Sequence, residues 1–182
     1  ELGYKSTYYL TLTGRNDWAS QLAGPNSTSK CFFYPSVGVS AVLSELFPNL
    51  NKDYLSFWKV RGSFASVGSA FQRYLSNPRF EWNSSSGQWS VLTQYPVYSL
   101  KPERTKSWEA GFNFVFFKNR LRLDGSIYQS RTYNQFFERT LSSTTGYKSE
   151  VVNGGRVDNK GIELSLRFED KWGDFGWSSY LT

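Results

Sequence analysis

Two carboxylates stand out as candidates for chemistry, Glu109 in Trp108-Glu109-Ala110-Gly111 and Glu163 in Gly161-Ile162-Glu163-Leu164. A general acid/base pair needs further groups converging on one reacting atom. Nothing else in the sequence converges on these two, so both read as solvated or ion-paired carboxylates on a polar strand face, and no enzyme is expected. Trp82 and Trp89 offer flat apolar faces that can stack on sugar rings or meet a partner. They lie in the Ser/Asn-rich stretch Glu81-Trp82-Asn83-Ser84-Ser85-Ser86-Gly87-Gln88-Trp89, which is expected to form a small hairpin. Packing within that loop is the plainer alternative. Arg156 and Asp158 beside Gly154-Gly155 sketch an anion nest. Phosphate-binding glycine loops open a helix, however, and none follows here, so these glycines read as a turn into the next strand. Asn26-Ser27-Thr28 and Asn83-Ser84-Ser85 match the N-glycosylation pattern. Cys31 is the single cysteine and reads as an isolated thiol near a strand start.

Composition removes other chemistries. The 182 residues contain no His, so no Ser-His-Asp triad, Cys-His pair or His-ligated metal can be built within the chain. One Cys cannot make an internal disulfide. No cofactor motif and no metal cluster are read. The 21 basic and 15 acidic residues give a net charge of +6, spread along the chain without the basic block of a nucleic-acid surface. No run approaches the ~18 apolar residues of a membrane helix. The chain has no Met and opens at Glu1-Leu2-Gly3-Tyr4 without a signal peptide, which is expected of a piece of a longer protein. Mean hydropathy is −0.50, yet 15 Phe, 12 Tyr and 7 Trp make 19% of the chain aromatic. That richness argues against disorder.

The elements that must position these residues are strands, because the hydrophobic period is two. Trp108, Ala110, Phe112, Phe114 and Phe116 fall on one side, with Ser107, Glu109, Gly111 and Asn113 on the other. Lys118-Asn119 is a two-residue turn candidate. The pattern resumes with Leu121, Leu123, Gly125 and Ile127 against Arg120, Arg122, Asp124 and Ser126. It recurs over Asn159–Glu169, Tyr8–Arg15, Ser36–Ser44 and Trp58–Phe64, and a last strand starts at Gly176. About seven strands and no convincing helix result. Long polar connections, about 16–30, 69–103 and 134–158, alternate with short ones, about 45–54, 118–119 and 170–175. In an up-and-down meander all long loops then lie at one end.

A sheet with one apolar face buries it against lipid or against a second sheet. Transmembrane barrels combine apolar-out, polar-in alternation with aromatic girdles, short periplasmic turns and long extracellular loops. Charged mid-strand residues such as Arg122, Asp124, Glu163 and Arg167 suit a hydrated lumen. The alternatives are a soluble carbohydrate-binding β-sandwich, in which the apolar stripe is core, and a porin or adhesin barrel.

Four segments carry a family resemblance. They are Tyr34-Pro35-Ser36-Val37-Gly38-Val39-Ser40-Ala41-Val42-Leu43-Ser44-Glu45, the stretch Leu55 to Gly68 containing Lys59-Val60-Arg61-Gly62-Ser63-Phe64, Leu100-Lys101-Pro102-Glu103-Arg104-Thr105-Lys106-Ser107-Trp108-Glu109-Ala110-Gly111, and Asn153-Gly154-Gly155-Arg156-Val157-Asp158-Asn159-Lys160-Gly161-Ile162-Glu163-Leu164. In order and spacing the chain resembles the SusC/RagA family of TonB-linked outer-membrane transporters of Bacteroidetes. The resemblance implies an all-β antiparallel meander forming part of a 22-stranded barrel, with residues 1–182 a partial barrel domain that is an open curved sheet when isolated. It also implies a plug domain, a TonB complex engaged through an N-terminal region outside this chain, a SusD-like surface lipoprotein, outer-membrane lipid around the wall, and a glycan or peptide substrate. Location in the bacterial outer membrane follows from the same resemblance. Under it, Trp82 and Trp89 are candidates for ligand or lipoprotein contact.

Overall fold

The structure, a computed structural model, describes residues 1–18, 31–47, 49–69, 79–90, 92–97 and 100–182. In chain order the elements are β1 (Leu2–Tyr4), β2 (Tyr8–Trp18), β3 (Cys31–Val42), one helical turn α1 (Leu43–Leu46) and β4 (Leu55–Ser69). Three two-residue strands follow, β5 (Trp82–Asn83), β6 (Gln88–Trp89) and β7 (Gln94–Tyr95). The long strands then return as β8 (Glu103–Phe116), β9 (Leu121–Thr140), β10 (Ser149–Trp172) and β11 (Phe175–Leu181). The seven strands expected from the alternation are β2, β3, β4, β8, β9, β10 and β11. The alternation did not mark β1, a short edge strand, or the turn α1.

One antiparallel sheet runs β1-β2-β3-β4-β8-β9-β10-β11, each long strand paired with the next in the chain, and β7 adds a parallel contact to β10. Short connections close one end. At Lys118 and Asn119 φ is 55° and 75°, the positive values a type I′ hairpin turn requires, and Arg120 N–H donates to the Phe117 carbonyl at 3.2 Å. Gly173, with φ 62°, supplies the same freedom between Trp172 and its partner Phe175.

Directly opposed residues share a face, so register converts the alternation into rows. One row is Leu10, Val39, Gly62, Ala110, Ile127 and Ile162; the next toward the short turns is Tyr8, Ala41, Val60, Phe112, Gly125 and Leu164. Further in that direction aromatic rings collect. Trp58 stacks on Phe114 at 5.6 Å, Phe114 on Phe116 at 5.7 Å, and Trp172 on Phe175 at 6.2 Å. In the opposite direction the apolar face ends at the row Trp108, Gln129, Lys160. The span from Trp108 to Phe116 is nine residues of β8, the length of a tilted strand that crosses a bilayer.

This apolar face has no protein cover. Ile162 is 81% exposed and Leu164 57% exposed, and Val151 is the one buried apolar side chain among the described residues. A sandwich needs a second sheet packed about 10 Å away with a core between. The described residues form one layer, so the sandwich alternative falls.

The expected connection over 134–158 also needs correction. β9 continues to Thr140 and β10 begins at Ser149, leaving 141–148 as the connection. The polar and glycine-rich residues that suggested a loop lie inside a ladder that skips one step, Asn134 with Gly155, and resumes in the same register. Asn134 and Gly155 occupy facing places in it, with φ 58° and 72°, so both strands bend at the same level without breaking register. Gly154-Gly155 is thus a mid-strand kink rather than a turn into a strand. At about 3.3 Å per residue, the 24-residue β10 reaches roughly 80 Å, well beyond a bilayer's ~30 Å hydrocarbon core. The connection expected over 16–30 begins later, since 16–18 still belong to β2 and Trp18 pairs with Cys31, and 19–30 lie outside the described residues. Between the last rung of β4 with β8, Ser69 with Glu103, stands the β5–β6 hairpin.

Candidate functional site

The polar face is built by the same registers. Ser40, Arg61, Gly111, Ser126 and Glu163 form one row, and Gly38, Ser63, Glu109, Tyr128 and Gly161 the next. Arg61 is its hub. Its Nη1 donates to Asn113 Oδ1 at 2.9 Å and to Asp124 Oδ2 at 3.1 Å, and Nη2 donates to Asp124 Oδ1 at 3.2 Å. Nε lies 3.6 Å from Glu109 Oε1. Asn113 Nδ2 also donates to Asp124. The guanidinium therefore ties β4, β8 and β9 together, and its planar fork suits a carboxylate gripped from two sides. Tyr9, Thr11, Ser40, Lys59, Arg61 and Glu109 line a shallow recess of about 610 Å³ on this face. Gly38 and Ser63 also line it, so its lining mixes small residues with hydroxyls and charges. Such a surface offers hydrogen-bond donors and acceptors.

Glu109 is accordingly ion-paired, as the sequence suggested. Glu163 has no hydrogen-bond or ion-pair partner among the described residues. Strand spacing and rise place their backbones about 12 Å apart. The fold does not bring the two carboxylates together.

Trp82 and Trp89 are brought together. They face each other across β5–β6 and meet edge to face at 5.4 Å, yet stay 54% and 63% exposed. The hairpin is closed by Asn83, whose Oδ1 accepts from Ser85 N–H at 3.0 Å and Ser86 N–H at 3.3 Å, while Gly87 takes φ 62°. Asn83 of the second glycosylation pattern is thus a turn residue; Asn26 of the first lies outside the described residues. Cys31 opens β3 as an exposed free thiol.

Arg156 does not form an anion nest. Its Nη2 lies 3.2 Å from Asp158 Oδ2, and Arg131 Nε approaches the other carboxylate oxygen at 3.6 Å.

Sequence reasoning passed over two constellations. The Arg61 cluster was visible only as polar residues on alternating strands, because the register that joins them is not written in any one segment. Asn153 is the second. Its Nδ2 donates to the Lys101 and Asn134 carbonyls, each at 2.8 Å, and its Oδ1 accepts from Lys101 N–H at 2.6 Å. With Lys148 N–H donating to Thr93 O at 2.7 Å and Tyr95 set edge-on to Tyr147 at 5.2 Å, the long connection before β8 is fastened along β10.

Comparison with known proteins agrees with this geometry. The family described as "TonB dependent receptor-like, beta-barrel" matches residues 1–182. TonB-dependent receptor P3 of Formosa agariphila is 29% identical over 97% of this chain, and TonB-dependent receptor P26 of the same organism 28% identical over 98%. The chain spans 18% of the length of each. Among solved structures, the RagAB peptide importer in its closed-closed state superposes with a TM-score of 0.80 at 21% identity, over 98% of this chain and 20% of that one. The siderophore receptor PirA from Pseudomonas aeruginosa gives 0.63 at 18% identity, over 97% of this chain and 31% of that one. At such identities the likeness concerns the fold. An uncovered apolar face, a charged opposite face and a match along the whole chain lead to one conclusion: the chain belongs to the TonB dependent receptor-like β-barrel family, and it forms barrel wall in the bacterial outer membrane.

Proposed function

We propose that this chain is part of the wall of a SusC/RagA-like, TonB-dependent outer-membrane importer of glycans or peptides. The observation that carries the reading is the two-faced single layer: apolar rows for lipid on one side, the Arg61 cluster and its recess on the other. Such a wall presents hydrogen-bonding groups to a hydrated lumen or a plug, and catalyses nothing. Energy comes from a TonB complex acting on a part of the protein outside these residues, in a complete barrel of about 22 strands. A SusD-like surface lipoprotein delivers the substrate at the end where the long connections lie. Trp82 and Trp89 take part there, their open indole faces stacking on a sugar ring or packing against that lipoprotein.

The test is a deletion of the full gene in the native bacterium, followed by growth on peptides or on polysaccharides as the sole nutrient. Loss of growth on one class, with uptake abolished by a protonophore, is the expected result. Uptake that survives the protonophore contradicts energised import and indicates a diffusion porin. Unchanged growth on every nutrient contradicts import altogether. Trp82→Ala with Trp89→Ala is expected to weaken capture of the substrate or lipoprotein by about tenfold or more, as loss of an aromatic anchor does, with the folded fraction unchanged.

A further inference from the structure

We propose that the outward face of β8, β9 and β10, just beyond the apolar rows, is a docking site for a phosphate-bearing lipid of the outer leaflet. Register places Lys160 beside Gln129 and Trp108, then Lys106, Arg131 and Asp158 in the following row, and Arg156 in the one after. Same-face residues along a strand are about 7 Å apart. Tilt shortens this distance along the membrane normal, so Lys160, Lys106 and Arg131 stand within the few ångströms of a headgroup layer above the hydrocarbon.

The charges at this level do not balance. Arg131 and Arg156 share the single carboxylate of Asp158, at 3.6 Å and 3.2 Å. Lys106 faces only the Tyr133 ring, at 5.9 Å from its centroid, and Lys160 has no hydrogen-bond or ion-pair partner among the described residues. Arg104, opposite Tyr133 in the Arg156 row, donates only to neutral oxygens, so five cations stand against one anion. On the opposite face Arg61 is met by two carboxylates and an amide. Of the unpaired outward cations, Lys160 stands one row beyond exposed Ile162, 81% open, and Lys106 one row beyond exposed Trp108, 43% open. A ligand with acyl chains below and phosphates above complements both levels at once. The inference rests on the membrane placement of the wall and is independent of what the protein imports.

The test uses the full-length protein purified in a mild detergent, with native mass spectrometry counting bound lipid. The probes are lipid A carrying two phosphates and the same lipid dephosphorylated. The wild-type protein is expected to favour the phosphorylated form by at least about tenfold, given roughly 1 kcal/mol for each basic residue near an anionic surface. The triple variant Lys106→Gln, Arg131→Gln, Lys160→Gln is expected to lose that preference. Lys118→Gln, at the far end of the strands, keeps it. Equal binding of the two lipids by the wild-type protein overturns the proposal without reliance on any variant. A preference unchanged in the triple variant overturns it too, as does one lost in Lys118→Gln.

Discussion

Arg61 on β4 grips Asp124 on β9 across the whole width of β8, through two hydrogen bonds of 3.1 Å and 3.2 Å. The strand between them permits this because Gly111 sits opposite Arg61. A Cβ at Gly111 would come within 2.9 Å of the guanidinium carbon. The pair thus depends on register, on a glycine and on two polar residues drawn from three segments.

The coupling between these residues is measurable by a double-mutant cycle with Arg61→Gln and Asp124→Asn in the full-length protein. Both side chains are partly open to solvent, so the expected coupling is about 1 kcal/mol, read from urea midpoints. Strictly additive effects would show that the contact contributes nothing to holding the wall.

A second glycine is covered by a ring. Tyr128 lies across Gly161, where a new Cβ would fall 2.5 Å from the phenol oxygen. Gly161→Ala is expected to lower stability by about 1–3 kcal/mol, the range for overpacking. Because the obstruction is the end of a movable side chain, Tyr128→Ala should recover part of that loss. Thermal loss of the folded gel band in the single and double variants makes the comparison.

The kink at Gly155 sets apart two adjacent glycines. Gly155 has φ 72° and a Cβ there would meet the Phe137 ring at 2.8 Å, whereas Gly154 is 3.6 Å from that ring with no positive φ. Gly155→Ala is expected to cost about 1–2 kcal/mol from the left-handed conformation. Gly154→Ala should stay within about 0.5 kcal/mol. Equal costs, measured as urea midpoints, would mean that the bend is not needed.

Adjacent positions on β10 likewise differ by face. Leu164 is on the apolar side and Ser165 opposite Asp124 on the polar side. Leu164→Arg is expected to destabilise the inserted barrel by about 2–4 kcal/mol, and Ser165→Arg to leave insertion intact. The folded fraction recovered from outer membranes reads both.

Much of this is legible in the sequence. Period two separated Phe112 and Leu164 from Asp124 and Glu163, and Lys118-Asn119 marked a real hairpin. The alternation of long and short connections put the ends in order. What escaped were features made by pairing between segments. Asn134 and Gly154-Gly155 have the composition of loop ends, but they lie within a pair of strands whose ladder resumes in the same register on both sides of them. Arg61 and Asp124 are 63 residues apart, and only the registers of β4 with β8 and β8 with β9 bring them into contact. The outward cations were visible as scattered charge, and became one cluster through the same registers.

The central claim is that one face of this sheet meets lipid and the other water. Site-directed spin labels at each position from 156 to 168 of β10, in the full-length protein in bilayers on a cysteine-free background, test it directly. Even-numbered positions from 162 to 168 should be accessible to oxygen dissolved in the lipid, and odd-numbered ones to a water-soluble nickel chelate. From 160 back to 156 both faces should report the aqueous side. Accessibility without a period of two over 162–168, or an alternation that continues unchanged through 156, would contradict the account.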